Sequence, residues 1–130
     1  MKKDNRPINV GLGDLMSFRW PVTAIASIAH RVAGGVLFVG VAFMLYAFDL
    51  SLSSAAGFGA LQSLAVSPFG KVVTWALLAA LAYHLVAGIK HLFMDMGFGE
   101  TLEGGLFAAR LTIILSAVLI ALAAIWVFGG

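Results

Sequence analysis

Three long apolar segments constrain this chain more than any other feature. They cover residues 21–48, 72–89 and 111–128, and His30 and Arg31 interrupt the first one. A helix needs about 20 apolar residues to cross the hydrocarbon core of a bilayer, which is about 30 Å thick. Only helices and closed barrels satisfy their backbone in lipid, and these segments lack the alternation of a barrel strand. The sequence therefore predicts an all-α membrane protein with three transmembrane helices.

The composition argues against a water-soluble domain. Hydrophobic residues make up 62% of the chain and charged residues 11%, whereas soluble domains are about 45–50% apolar and about 25% charged. The length of 130 residues predicts a single domain, 1–130. The net charge of +2 is too small to indicate nucleic-acid binding. Because cysteine is absent, this chain has no thiolate ligands for an iron–sulfur cluster. A redox cofactor would depend on its histidines or on partner subunits.

The basic residues predict the orientation in the membrane. Of the 8 lysines and arginines, only Lys71 lies between the first and second spans. The others are Lys2, Lys3, Arg6, Arg19, Arg31, Lys90 and Arg110. By the positive-inside rule, the N-terminal segment 1–20 is cytoplasmic and the C-terminus lies on the other side. The serine- and glycine-rich connection 49–70 predicts a loop or a short interfacial helix outside. No signal-peptide pattern precedes Pro21, so we expect the mature chain to begin near Met1.

Polar residues inside the apolar spans are the main functional signal. An arginine at mid-membrane costs about 2.5–3.5 kcal/mol, so an ionisable residue there is a functional hypothesis by default. In the first span, one helix face carries four small or polar residues at the spacing i, i+3, i+4, i+7: Ser27, His30, Arg31 and Gly34. At the end of the second span, one helix face carries residues at the spacing i, i+4, i+7, i+11: His84, Gly88, His91 and Asp95.

The depths of the two faces match. Arg31 lies about 15 Å along the helix from Pro21, and His84 lies about 9 Å from Lys90 at the cytoplasmic boundary. Both faces therefore fall in the same leaflet, and we expect them to face one another across a shared cavity.

Each of these residues also has an ordinary interpretation. A single membrane histidine more often packs than ligates, Arg31 can extend toward the headgroups, and Asp95 can be a solvated loop residue. The joint pattern favours a cofactor. His84 and His91 are separated by a rise of about 10 Å and so do not coordinate one haem iron from opposite sides. The second ligand would come from His30 or from a partner subunit, and the spacing leaves both open.

Two strings of the sequence resemble a known family. AIASIAHRVAGG, preceded by Arg6-Pro7, and YHLVAGIKHLFMDMG resemble the signatures of the cytochrome b membrane-anchor subunits of succinate dehydrogenase. The resemblance covers essentially the whole chain. Two positions depart from it: Ala33 stands where the family often has serine or threonine, and Lys90 where it usually has arginine. Lys90 keeps the charge but lacks the planar guanidinium fork.

The resemblance implies specific roles. The family forms a complex with a flavoprotein, an iron–sulfur protein and a second small anchor subunit, and passes electrons from succinate to ubiquinone. It implies that His84 is an axial ligand of haem b, with the opposite ligand on the second anchor. Ser27 and Arg31 would line the quinone pocket. His30, His91 and Arg31 would contact the haem propionates or a polar network around them.

The resemblance further implies a multi-pass protein of the bacterial inner (cytoplasmic) membrane, without complete catalytic activity alone. Asp95 is a candidate proton relay. Two alternatives stay open: a haem-free structural anchor, and the anchor of a fumarate-reducing complex. A proton-conducting complex is disfavoured because the acidic residues lie outside the spans, whereas proton relays usually place carboxylates within them.

Overall fold

The computed structural model describes residues 11–130, and these form helices without strands. The helices are α1 (Leu12–Ser17), α2 (Val22–Ser53), α3 (Ala55–Val66), α4 (Pro68–Asp95) and α5 (Leu102–Phe128). Three of them, α2, α4 and α5, are long and apolar enough to cross a membrane. The predicted fold class, an all-α protein with three membrane-spanning helices, is thereby confirmed. Lys2, Lys3 and Arg6 lie outside the described residues.

The spanning helices are longer than the predicted apolar spans. Helix α2 has 32 residues, which corresponds to about 48 Å. It continues through the polar residues 49–53, where the Ser51 hydroxyl donates to the Phe48 carbonyl (2.6 Å) and the Ser53 hydroxyl to the Leu50 carbonyl (2.7 Å). Serines bonded to their own helix allow it to extend past the hydrocarbon. An apolar run marks only the part of a helix that lies in lipid.

The connection 49–70 is helical over most of its length. Helix α3 begins after Ser54, whose hydroxyl accepts a hydrogen bond from the Gly57 N–H (2.9 Å). Helix α4 begins in the same way after Ser67, which accepts from the Gly70 N–H (3.0 Å), and Pro68 is its first residue. Serine at the N-cap and proline in the first turn are favoured starts. Of the two predicted forms, a loop or a short helix, the chain adopts the helix.

Helix α2 packs antiparallel to α4, and α4 packs antiparallel to α5. The Tyr83 hydroxyl donates to the Ala26 carbonyl (2.7 Å), and the Trp75 indole N–H donates to the Ile120 carbonyl (3.1 Å). The turn between α4 and α5 uses Gly97 and Gly99, whose φ values are 91° and 71°. Only glycine adopts such left-handed backbone readily.

This topology sorts the charges by end. The start of α2, the end of α4 and the start of α5 lie together, so Arg19, Lys90 and Arg110 share one end of the bundle. Lys71 lies at the other end, where its ammonium donates to the Gly130 carbonyl (3.1 Å). The described basic residues therefore gather at one end of the bundle, with Lys71 alone at the other, which is the distribution used to predict the orientation.

Small residues make the contacts between the helices. The buried residues of the described chain are Ala26, Ala33, Gly40, Gly57, Gly70, Ala87, Ala109, Thr112 and Ser116. Large apolar side chains point outward instead, as with Phe38 (82% exposed) and Trp126 (75% exposed). Close packing through small residues is typical of helices in lipid, where burying a large apolar side chain gives no hydrophobic gain.

Candidate functional site

The imidazoles of His30 and His84 lie in direct contact between α2 and α4. Their ring centroids are 4.3 Å apart and the rings are inclined by only 19°. The Nδ1 atom of His84 lies 3.2 Å from the backbone carbonyl oxygen of His30. Because a carbonyl oxygen only accepts hydrogen bonds, this contact places the His84 proton on Nδ1. The Nε2 lone pair of His84 is then free to coordinate a metal.

Glycines allow this close approach. A Cβ atom at Gly34 would lie 3.0 Å from Cε1 and 3.3 Å from Nδ1 of His84. A Cβ atom at Gly88 would lie 3.9 Å from Nε2 of His30, which is ordinary contact distance. Gly34 therefore allows the two helices to approach closely at the His84 ring itself.

His91 extends the contact into a histidine cluster made of His30, His84 and His91. Its ring centroid lies 5.2 Å from that of His30, at an angle of 43°. The Nε2 atom of His30 is buried and has no hydrogen-bond partner among the described residues. Leaving a buried polar atom unpaired costs about 1–3 kcal/mol. Within residues 11–130, no three histidine, aspartate or glutamate side chains are grouped to hold a bare metal ion.

The other predicted site residues lie around the cluster rather than in it. Ser27 is half-buried, whereas Arg31 and Asp95 are exposed on the isolated chain. Within the described part of the chain, no hydrogen bond joins Ser27 or Arg31 to His84. His30 and Gly34 contact His84 of α4 directly, and the expected shared cavity stays a prediction.

Comparison with known proteins identifies the relationship. Residues 2–125 match the family model described as the succinate dehydrogenase/fumarate reductase transmembrane subunit. The chain is 38% identical over 124 residues to the succinate dehydrogenase cytochrome b556 subunit of Coxiella burnetii, covering 95% of this chain and 97% of that protein. The chain belongs to this family of transmembrane subunits.

Two further relatives agree with the assignment. The cytochrome b556 subunit of Paracoccus denitrificans is 31% identical over 103 residues, covering 79% of this chain and 77% of the relative. The cytochrome b560 subunit of Reclinomonas americana is 34% identical over 104 residues, covering 76% and 70%. The chain is thus a membrane-anchor subunit of the cytochrome b556 type, within the succinate dehydrogenase complex.

An apolar cleft of about 420 Å³ also lies between α4 and α5 of this anchor subunit. It is lined by Val86, Ile89, Lys90, Phe93, Met94, Phe98, Gly99, Gly104, Phe107, Ala108, Leu111, Thr112 and Leu115. Lys90 is its one charged lining residue, and none of the predicted site residues lines it. The predicted site residues therefore lie at or near the α2–α4 contact and not in this cleft.

Tyr83 was missed by the sequence reasoning. Its hydroxyl donates to the Ala26 carbonyl (2.7 Å) and ties α4 to α2 one residue before His84. A tyrosine in an apolar span is easily taken for one more apolar side chain. Its hydroxyl was the available signal, since a phenol away from water needs a hydrogen-bond partner.

Proposed function

We propose that this anchor subunit binds haem b through His84 and contributes Ser27 and Arg31 to the site where ubiquinone is reduced with electrons from succinate. The contact between His84 Nδ1 and the His30 carbonyl carries the haem assignment, because it leaves Nε2 as the coordinating atom. Relatives named cytochrome b556 subunits support the same cofactor class.

The residues present fit a haem. His84 would supply one nitrogen ligand, Nε2, to the iron. The His30 ring lies beside the His84 ring at a small angle, and stacked rings do not face each other across a haem plane. Of the two sources that the spacing left open, we therefore propose the second anchor subunit for the other ligand. When bound, the haem supplies a site that accepts and returns single electrons.

The remaining polar groups suit the acidic edge of a haem. His30 Nε2 is a buried nitrogen without a partner, and a propionate oxygen would satisfy it when that nitrogen carries a proton. His91 and Arg31 lie nearby on α4 and α2, and Arg31 carries a positive charge that favours the same anionic groups.

Quinone reduction needs what Ser27 and Arg31 offer. The reaction takes up two electrons and two protons, and negative charge develops on the quinone carbonyl oxygens. A fixed guanidinium stabilises this charge in a site of low dielectric constant, and the serine hydroxyl donates a hydrogen bond to the oxygen. Arg31 is exposed on this chain, where a pocket completed by neighbouring subunits would reach it. Asp95, exposed at the end of α4, is our candidate for the residue that passes protons in from the cytoplasm.

The proposed assembly contains the flavoprotein, the iron–sulfur subunit and the second anchor subunit, with membrane lipid covering the rest of the spans. The chain forms one domain, 1–130, in the bacterial inner (cytoplasmic) membrane. Its N-terminal segment 1–20 is cytoplasmic, as the end-sorted basic residues support. In this orientation the histidine cluster and Arg31 lie on the side where the soluble subunits dock.

The haem assignment is tested by His84→Leu, expressed with the partner subunits. We expect the reduced-haem absorption band to be lost, while His30→Leu retains haem because its ring is not a ligand. Oxidation of succinate with a soluble acceptor checks that each complex assembles. An unchanged spectrum in His84→Leu would show the ligand assignment to be wrong. Absence of stoichiometric haem from the unmodified complex would favour the haem-free anchor instead.

The quinone assignment is tested by Arg31→Leu, with Arg110→Leu as a matched control at another exposed arginine. We expect succinate-to-quinone turnover to fall by at least about tenfold in Arg31→Leu, since removing one group that stabilises developing charge commonly costs more than this. Turnover with a soluble acceptor should persist in both variants. Retained quinone turnover, or parallel loss of both activities, would contradict a role in quinone chemistry.

A further inference from the structure

Two features of α2 define the position of the His84 ring: a hydrogen bond from it to a backbone carbonyl, and a space beside it that a glycine leaves open. The backbone carbonyl of His30 accepts the hydrogen bond from Nδ1 at 3.2 Å. One turn further along the helix, Gly34 leaves the space beside Cε1 and Nδ1 open, since a Cβ atom there would lie 3.0 Å and 3.3 Å from these atoms. Such distances are tighter than nine in ten real Cβ contacts, so a side chain at position 34 would require the His84 ring to move by a few tenths of an ångström.

The neighbouring glycine provides the contrast. A Cβ atom at Gly35 would meet nothing within 4 Å. Both glycines lie inside α2, where neither has a positive φ. A side chain at position 34 would therefore crowd the His84 ring, whereas a side chain at position 35 would crowd no described neighbour.

We propose that Gly34 and the His30 carbonyl together form a positioning device that sets the rotation and the tautomer of the His84 imidazole. The proposal rests on the proposed function, in which His84 is an axial ligand. It adds that the electronic properties of the bound haem would depend on a glycine that acts through the His84 ring. A hydrogen bond from the non-coordinating nitrogen makes an imidazole a stronger electron donor to a metal, and fixes the plane of the ring.

The test compares Gly34→Ala with Gly35→Ala in the complete complex. The g values of a low-spin ferric haem depend on the relative planes of its two axial imidazoles, so rotation of one ring changes them. We expect Gly34→Ala to shift the g values and the haem midpoint potential. Gly35→Ala should leave both unchanged. Gly88→Ala, which only reaches ordinary contact distance with His30, is a second control expected to resemble the unmodified complex.

The outcomes separate this proposal from the proposed function. Full haem content with unchanged g values and potential in Gly34→Ala would overturn the positioning role. Loss of haem in Gly34→Ala alone, with succinate oxidation by a soluble acceptor retained, would support it in a stronger form. Retention of haem in His84→Leu would instead defeat the ligand assignment itself.

A second measurement needs no substitution, and tests the hydrogen-bond part of the proposal should Gly34→Ala fail to assemble. In pulsed EPR, the quadrupole coupling of the non-coordinating imidazole nitrogen reports whether its N–H donates a hydrogen bond. We expect the unmodified complex to show at least one axial imidazole with a hydrogen-bonded N–H. A spectrum in which neither axial imidazole is hydrogen-bonded would overturn the proposal.

Discussion

The α2–α4 contact and the α4–α5 contact use different kinds of side chain. At the first, two imidazoles stack and a tyrosine hydroxyl crosses to the opposite helix. At the second, an indole N–H crosses to α5, and the buried face of α5 carries Ala109, Thr112 and Ser116. Helix α5 is also the most apolar of the three, with a mean hydropathy of 2.7 in its span.

The difference separates polar groups that are bonded within the fold from polar groups that are left available to a ligand. Thr112 donates to the carbonyl of Ala108 in its own helix (2.8 Å), so this hydroxyl is satisfied without a ligand. In the α2–α4 contact, His30 Nε2 is buried and unpaired among the described residues. The hydrogen bond of His84 uses Nδ1, so its Nε2 remains available to a ligand. Ser116 Oγ on α5 is also buried and unpaired among the described residues, so an unpaired atom alone does not distinguish the two contacts. The distinguishing group is the His84 imidazole, because a neutral imidazole nitrogen is a common metal ligand and a serine hydroxyl is not a usual ligand of iron in haem proteins.

The largest effect on this comparison is expected from crowding α5. Ala109 is 0% exposed, so Ala109→Leu inserts three carbons where there is no room. Overpacking of this kind costs about 1–3 kcal/mol. We expect a lower thermal denaturation temperature of the purified complex and less of the chain in membranes. Ala121→Leu, the same change at an exposed position of α5, is the control. Equal damage from both variants would show that α5 is not packed as described.

A smaller loss is expected from Trp75→Phe. The substitution removes the hydrogen bond to the Ile120 carbonyl and part of a half-buried ring. Hydrogen bonds between membrane helices average about 0.6 kcal/mol, with a maximum of about 1.7 kcal/mol. We expect the denaturation temperature to fall modestly while haem content and the g values stay unchanged. A shift in the haem signals would mean that the two contacts are not independent.

The spans were predictable because a run of apolar residues has one interpretation in lipid. Their ends were not, because the same serines that suggest a loop also cap helices. Ser54 and Ser67 accept hydrogen bonds from Gly57 and Gly70, and only the three-dimensional arrangement shows that these serines start α3 and α4 rather than interrupt them.

The pairing of the polar faces was predictable in outline from depth and spacing, and its details were not. His30 and Arg31 are consecutive, so their side chains diverge by about 100° around α2. Periodicity groups both on one broad face, but the described contact with α4 uses His30 and leaves Arg31 exposed. The carbonyl of His30 was invisible to sequence reasoning, because every residue has one and only the fold shows which carbonyl an imidazole meets.

The smallest expected effect, Tyr83→Phe, sharpens the comparison most directly. It removes one hydroxyl and the hydrogen bond to Ala26, so we expect a stability loss of about 0.6 kcal/mol, similar to or below that of Trp75→Phe. Unlike Trp75, Tyr83 acts on the contact that positions His84. Slight loosening of α4 against α2 should therefore broaden the haem EPR signal of Tyr83→Phe at equal haem content. If Tyr83→Phe and Trp75→Phe gave identical haem signals, the polar contact would not transmit its geometry to the ligand. The rigidity of His84 would then come only from Gly34 and the His30 carbonyl.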